Sequence, residues 1–218
     1  MNDSVQERVR LAQIRSGVVQ DVGFTQLDLP KLDTFETAVT FDADCDPLTA
    51  HEELAPVFGQ KAGTGRFLFC ADSSVAGRFW VRSVVPWKFP PSSAVTALAP
   101  KRIVTQLASG LMYHFSLTVC AGDVDLTDGR KLVRPFKSVA EWENWFNVNA
   151  EEFGVKPLMV SVSLRTMRFT HQGASYRIDH GALEGAIEVA DTERLMRRLL
   201  RGFGSHRRLG LGMMKLQS

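Results

Sequence analysis

A chain of 218 residues with 44% apolar and 23% charged side chains has the composition of an ordinary globular protein, long enough for one large core or two compact ones. No apolar run approaches the roughly 18 residues of a membrane span, so the sequence reads as non-membrane. The polar start MNDSVQERVRLAQIR lacks the apolar stretch of a secretion signal. The net charge of +2 hides an asymmetry. Residues 1–129 hold 11 Lys/Arg against 15 Asp/Glu, and residues 130–218 hold 15 against 9. The C-terminal half therefore suits a polyanion, although a solvated surface would read the same way.

Residues 1–31 form an N-terminal extension. In it Val5, Val9 and Ala12 or Gln13 suggest a short helix carrying Arg8, Arg10 and Arg15, and residues 23–31 are linker. Phe35, Thr37, Val39 and Phe41 alternate along one strand face. Asp46-Pro47 opens a helix, with a carboxylate at the cap and proline in the first turn, that runs to about Phe58. Strands follow over residues 65–71 and 77–85, then a proline-rich loop over 86–100, a short helix over 101–107 and a strand over 112–120. In the second half, residues 130–136 read as a strand, and Ser138 with Glu141 forms a capping box. Trp142, Trp145, Phe146, Asn149 and Phe153 follow at helical spacing, so the two tryptophans belong to a core. Residues 158–164 and 183–189 are strands and His171 and His180 flank a hairpin. Asp191 caps a last helix with the stripe Leu195, Met196, Leu199 and Leu200, and residues 210–216 close as a strand. The result is an α+β fold of two tandem ferredoxin-like (RRM-like) βαββαβ domains, at 32–124 and 125–218. That architecture hosts many functions and names none.

Residues 202–216 carry the strongest chemical signal. Four glycines allow the backbone to approach a phosphate closely, and Ser205, His206, Arg207 and Arg208 supply donors and charge between them. The G-x-G follows a helix and precedes a strand, the reverse of the dinucleotide-binding order, so that fingerprint fails. A glycine-rich turn closing a sheet edge would look similar. Cys45, Cys70 and Cys120 form no CxxC pair, and the five histidines show no metal-ligand spacing. Free thiols in a reducing cytoplasm are expected, with no metal and no cofactor.

At this segment the chain resembles the repeat-processing endoribonucleases of CRISPR Cascade systems, the CasE or Cse3 family, which end close to G-I-G-x-x-K-A-F-G-x-G-L-L. Gly202, Gly204, Gly210 and Gly212 match the glycines, Phe203 stands at the isoleucine, Arg207 at the lysine and Leu209 at the phenylalanine. Upstream, Leu183-Glu-Gly-Ala-Ile-Glu-Val189 with Asp191 resembles the family's F-x-G-x-L-x-V-x-D, and Asp128-Gly-Arg-Lys131 its D-G-K-R turn. Arg78-Phe-Trp-Val-Arg-Ser83 with Pro86-Trp87 resembles its V-L-V-Q-S…D-W. The likeness spans about residues 33–218 in order. The N-terminal extension departs from the usual family start and fits a divergent or type IV-like branch.

The resemblance implies metal-independent cleavage of CRISPR repeat RNA by its own 2′-hydroxyl. The cutting protein would stay on the stem-loop and join a multisubunit effector complex. It puts His51, on the Asp46-Pro-Leu-Thr-Ala-His51 helix, at the catalytic position, a residue type suited to proton transfer near neutrality. The family tyrosine three residues earlier is Leu48 here. For RNA contact it implies Lys131, Arg165, Arg168, Ser205, His206, Arg207 and Arg208. Arg194, Arg197, Arg198 and Arg201 are a phosphate track or a solvated helix face, and the N-terminal arginines an RNA surface or a subunit contact. Two other readings stay open: a non-cleaving RNA-hairpin-binding subunit, and a ferredoxin-like protein that binds no RNA.

Overall fold

The computed structural model describes residues 30–42, 44–58, 63, 66–87, 95–127 and 130–217, with backbone alone at 125–127 and 130–132. The N-terminal extension, its suggested helix included, lies outside the described residues up to residue 29. None of the described helices is long and apolar enough to cross a membrane.

Strand β1 (Lys31–Thr40) is followed by helix α1 (Pro47–Phe58), then β2 (Phe67–Ala71), β3 (Arg78–Ser83), β4 (Thr96–Ala97) and β5 (Lys101–Gln106). They form one sheet in the order β2-β3-β1-β4, with β5 on the first half of β1. The start of α1 is fixed as the sequence predicts: Asp46 Oδ1 accepts the backbone N–H groups of Leu48 at 2.8 Å and Thr49 at 3.1 Å. The helix buries Ala50, Leu54 and Phe58 on Phe67, Phe69, Phe79 and Val81 of the sheet. β2 is covered on both faces, which explains its unbroken apolar run Phe67-Leu-Phe-Cys70. Phe67 and Phe69 meet α1, while Leu68 and Cys70 meet Met213 from the far end of the chain.

The expected helix over residues 101–107 is a strand. Ile103, Val104 and Thr105 are β-branched, and the segment pairs antiparallel with Lys31–Glu36 seventy residues earlier, a partner that local spacing does not reveal.

β6 (Met112–Val119) leads into a separate hairpin of β7 (Gly122–Thr127) and β8 (Arg130–Pro135). Then come α2 (Val139–Val148), α3 (Ala150–Phe153), β9 (Val155–His171), β10 (Ala174–Val189), α4 (Thr192–Arg201) and β11 (Met214–Gln217). The second sheet runs β11-β6-β10-β9, so β6, expected to close the first unit, instead opens the second βαββαβ unit. The fold is α+β with two ferredoxin-like domains. The first lacks a second helix among its described residues; β4 and β5 fill that edge instead.

Local signals set the second unit's helices. Ser138 and Glu141 close the predicted capping box, and Asp191 accepts the Arg194 N–H at 3.0 Å. The helix expected to continue to Phe153 breaks at Asn149 into α2 and α3. Trp142, Phe146, Phe153, Leu195, Leu199 and Phe203 make the core with Leu183, Ile187 and Met214. The Trp142 indole donates to Phe136 O at 3.3 Å, so this tryptophan packs rather than presents a stacking face.

β9 and β10 are 17 and 16 residues long, but β6 pairs only with Gly181–Glu188 of β10. The rest is a two-stranded arm turning at Gln172-Gly173, both at positive φ as a tight hairpin turn requires. It crosses back over the first unit. Across the remaining seam, Arg82 donates to Glu36 Oε1 at 2.6 Å and to Met214 O at 2.8 Å, which satisfies a buried guanidinium between the two sheets.

Candidate nucleic-acid interface

Three segments converge on the glycine-rich loop after α4: the loop itself, the N-terminal turn of α1 and the β9–β10 arm. The loop is built from backbone. Phe203 N–H donates to Gly212 O at 2.9 Å, Gly212 N–H to Thr118 O at 2.7 Å and Ser205 N–H to Cys120 O at 2.7 Å. Glycine is required where the path is tightest. Gly204 sits at φ 61° and Gly212 at φ 96°, and a Cβ there would lie 2.4 Å from Cys120 O and 2.3 Å from Phe203 O. Between them a 3-10 turn over Arg207–Leu209 starts at His206, itself at φ 59°.

Leu209 and Leu211 seat this turn against Leu48, Met167, Phe169 and Ile178, so α1, the arm and the loop share a small apolar cluster. Above it opens a cavity of about 450 Å³ lined by Leu48, Tyr176, Ile178, His206, Arg207, Arg208 and Leu209. The loop thus presents two guanidinium groups and an imidazole at one place. Arg207 is half-buried, and its Nε has no hydrogen-bond partner among the described residues, while Nη2 reaches Gly202 O at 3.5 Å. Burial, then the charge of Arg198, lowers its pKa. An under-satisfied, partly desolvated guanidinium is a ready site for an anion. Ser205 stands just behind, its hydroxyl 2.9 Å from His206 Nδ1.

His51 is brought to the same neighbourhood but not into the cavity. It is only 7% exposed, with its ring stacked on Phe67 (centroids 6.3 Å) and tilted against Phe69 (6.2 Å). Phe69 in turn backs Gly210, whose added Cβ would lie 3.2 Å from the ring. Phe69 thus lies against both the His51 ring and the loop backbone.

The other predicted RNA-contact residues are dispersed. Arg165 and Arg168 are both exposed but lie an odd number of strand positions apart, on opposite faces of β9. Arg165 lines a second cleft of about 460 Å³ between the two sheets, which the loop also borders at Gly210 and Leu211. Arg168 lies across from Arg177 on the other face. Lys131 pairs through its backbone with Leu126 in the β7–β8 hairpin, and its side chain lies outside the described residues, as does the turn at 128–129. On α4, Arg194 pairs with Glu151 and Asp191, each at 3.2 Å, and Arg198 with Glu152, so two of the four helix arginines already have carboxylate partners.

One residue that the sequence did not single out is His171 at the arm's tip. Its Nδ1 lies 3.2 Å from Asp46 Oδ2 and its Nε2 3.4 Å from Glu52 Oε1, which straps the arm to the start of α1. Tyr176, which lines the cavity from β10, stacks on Phe169 with centroids 5.0 Å apart. Among the described residues no group of three or more His, Cys, Asp or Glu side chains is placed to hold a metal ion. The three cysteines are free thiols, and burial raises the pKa of all three, that of Cys45 to about 11.

Two ferredoxin-like domains joined through a glycine-built loop that carries arginines define a class of protein, and a sequence profile places the chain within it. The chain belongs to the CRISPR associated protein family, whose profile matches residues 30–218. Its fold is that of the Cse3/CasE-like members. It is similar to a CRISPR endoribonuclease Cse3 solved with a 19-nucleotide RNA, at 20% identity and a TM-score of 0.70 over 85% of this chain and 100% of that one. Thermus thermophilus Cse3, solved with an RNA representing a pre-cleavage complex, is 20% identical with a TM-score of 0.68 over 85% and 100% of the two chains. The CRISPR-associated protein Cas6e from Escherichia coli K-12 is 18% identical with a TM-score of 0.66 over 84% and 98%. No curated protein sequence matches the chain.

Proposed function

We propose that this protein is a metal-independent endoribonuclease that binds the stem-loop of CRISPR repeat RNA, cuts the precursor and remains on the product within a multisubunit effector complex in the cytoplasm. The observation that carries this reading is the convergence of His206, Arg207 and Arg208 on one cavity beside the N-terminal turn of α1, in a chain of this family. A folded RNA stem is gripped through phosphates and shape, and arginine forks suit that task. Arg207 and Arg208 hold the backbone at the scissile step, Ser205 and His206 border it, and Arg165, Arg168 and Lys131 contact more distant phosphates. The solved relatives support the partner: two are described with RNA bound, and one similar structure is a CRISPR RNA-guided surveillance complex.

In the reaction the upstream 2′-oxygen attacks phosphorus and the P–O5′ bond breaks, leaving a 2′,3′-cyclic phosphate and a 5′-hydroxyl. The 2′-hydroxyl gives up a proton and the departing O5′ gains one. Arginine charge at the cavity stabilises the phosphorane as its negative charge builds. His51 is the proton-transfer group on α1, and because its ring is buried it reaches the RNA only after a local rearrangement.

A second reading, a hairpin-binding subunit that does not cut, is favoured by two observations: Leu48 stands in the cavity where the family carries tyrosine, and His51 is buried between phenylalanines. His51→Ala separates the two. The first reading expects about 100-fold slower cutting of a repeat hairpin with its affinity retained. Unchanged cutting removes His51 from the mechanism, and tight binding by a wild-type protein that never cuts selects the second reading.

A further inference from the structure

The Ser205–His206 pair has a hydrogen-bond geometry that phosphate binding alone does not require. The Ser205 hydroxyl lies 3.0 Å from Cys120 O, an acceptor that has no proton to give, so Ser205 donates there. Its oxygen can then only accept from His206 Nδ1, 2.9 Å away. The chain Nδ1–H to Oγ–H to carbonyl fixes the neutral imidazole as the Nδ1–H tautomer, and Nε2 carries the ring's only lone pair. The carbonyl at the end of the chain is rigidly held, because Cys120 O also accepts Ser205 N–H at 2.7 Å.

From this relay and the cavity it faces, we infer that His206 is a catalytic residue, the general base that takes the 2′-hydroxyl proton, with Ser205 as its positioning residue. The inference rests on the endoribonuclease reading above and adds to it the group that Leu48 fails to supply. As the O2′–P bond forms, Nε2 takes the 2′ proton; as P–O5′ breaks, O5′ takes its proton from His51, the proton-transfer group of that reading, and solvent returns both rings to their starting forms. The charged and titratable groups that share the cavity with His206 are Arg207 and Arg208 of the same loop and Tyr176 of β10; α1 contributes only Leu48 there. Burial lowers the His206 pKa from its usual range and so favours the neutral ring. A base that is neutral through the physiological range is the form needed.

The backbone decides which variants are informative. His206 sits at φ 59°, where asparagine and glycine are tolerated far better than other residues. His206→Asn keeps a hydrogen-bonding side chain without the base, and His206→Gly leaves room for free imidazole. Single-turnover cleavage of a synthetic CRISPR repeat hairpin RNA is measured from pH 5 to 8 beside hairpin affinity. His206→Asn is expected to cut about 100-fold more slowly with affinity within about threefold, and to lose the fall in rate that the wild type shows on acidification. Imidazole should restore part of the His206→Gly rate. Ser205→Ala should slow cutting about tenfold and alter the acid limb, which a purely structural loss would leave in place. If the wild type cuts and His206→Asn cuts within threefold of it, the assignment is overturned while the endoribonuclease reading stands. A loss of cutting that only tracks lost affinity makes His206 a binding residue and also overturns it. A wild type that binds the hairpin without cutting overturns both.

Discussion

The glycine-rich loop and helix α1 face the same cavity but are made in different ways. The loop's shape is held by main-chain hydrogen bonds to β6 and to Cys120, so its side chains are presented on a fixed frame and remain open to a ligand. α1 is held by what it buries, and His51 is part of that burial. A backbone-built site displays its chemistry, whereas a side-chain-packed helix encloses it. Under the proposed function binding therefore rests on the loop, and cutting that depends on α1 requires a movement that exposes His51.

The sharpest way to break this contrast is at the frame. Gly212→Ala adds a Cβ into Phe203 O at a positive φ, and should cost about 3 kcal/mol in urea unfolding and abolish hairpin binding. A near-neutral result would mean that the loop is not rigid. Next comes Arg207→Ala, expected to weaken hairpin RNA binding by about 100-fold, as loss of a partly buried charge-assisted contact does, and to reduce the salt slope by about one. Arg194→Ala and Arg198→Ala should stay within about threefold, since their charges are already paired with Glu151 and Glu152. Equal losses at all three positions would make α4 part of the RNA track.

Much of this frame was legible in the sequence, because its determinants are local. Asp46-Pro47, Ser138 with Glu141, and Asp191 each set a helix start through atoms within three or four residues. The four loop glycines announced a special backbone. Residues 101–107 read as a helix because so short a run has no decisive period, and the strand partner of Lys101–Gln106 lies about seventy positions away. β7 carries no clear strand signal, because Gly122-Asp-Val-Asp125 looks like a turn. The strap from His171 to Asp46 spans 125 positions and leaves no sequence signal. The separation of Arg165 from Arg168 was available all along, since residues three apart on a strand face opposite ways.

A gain of function probes the α1 side. Leu48→Tyr puts a hydroxyl into the cavity and should raise cleavage about tenfold, less than a positioned proton-transfer group usually contributes because the pocket is packed around leucine. No change would show that a hydroxyl at this position takes no part in the reaction. The smallest effect concerns pH. Burial lowers the pKa of both His180 and His206, so below about pH 6.5 the unfolded chain binds more protons than the folded one. Stability should fall as pH drops through that range, seen as a lower melting temperature at pH 5.5 than at pH 7.5. A rise would contradict the environments described for these two rings.

The central claim is that this fold cuts a repeat hairpin without a metal ion. Its most direct test is to incubate the full-length protein with repeat RNA in EDTA and identify the product ends by mass spectrometry. The account predicts a single cut that leaves a 2′,3′-cyclic phosphate and a 5′-hydroxyl. RNA that stays intact while tightly bound, or cleavage that appears only when a divalent cation is restored, would contradict it.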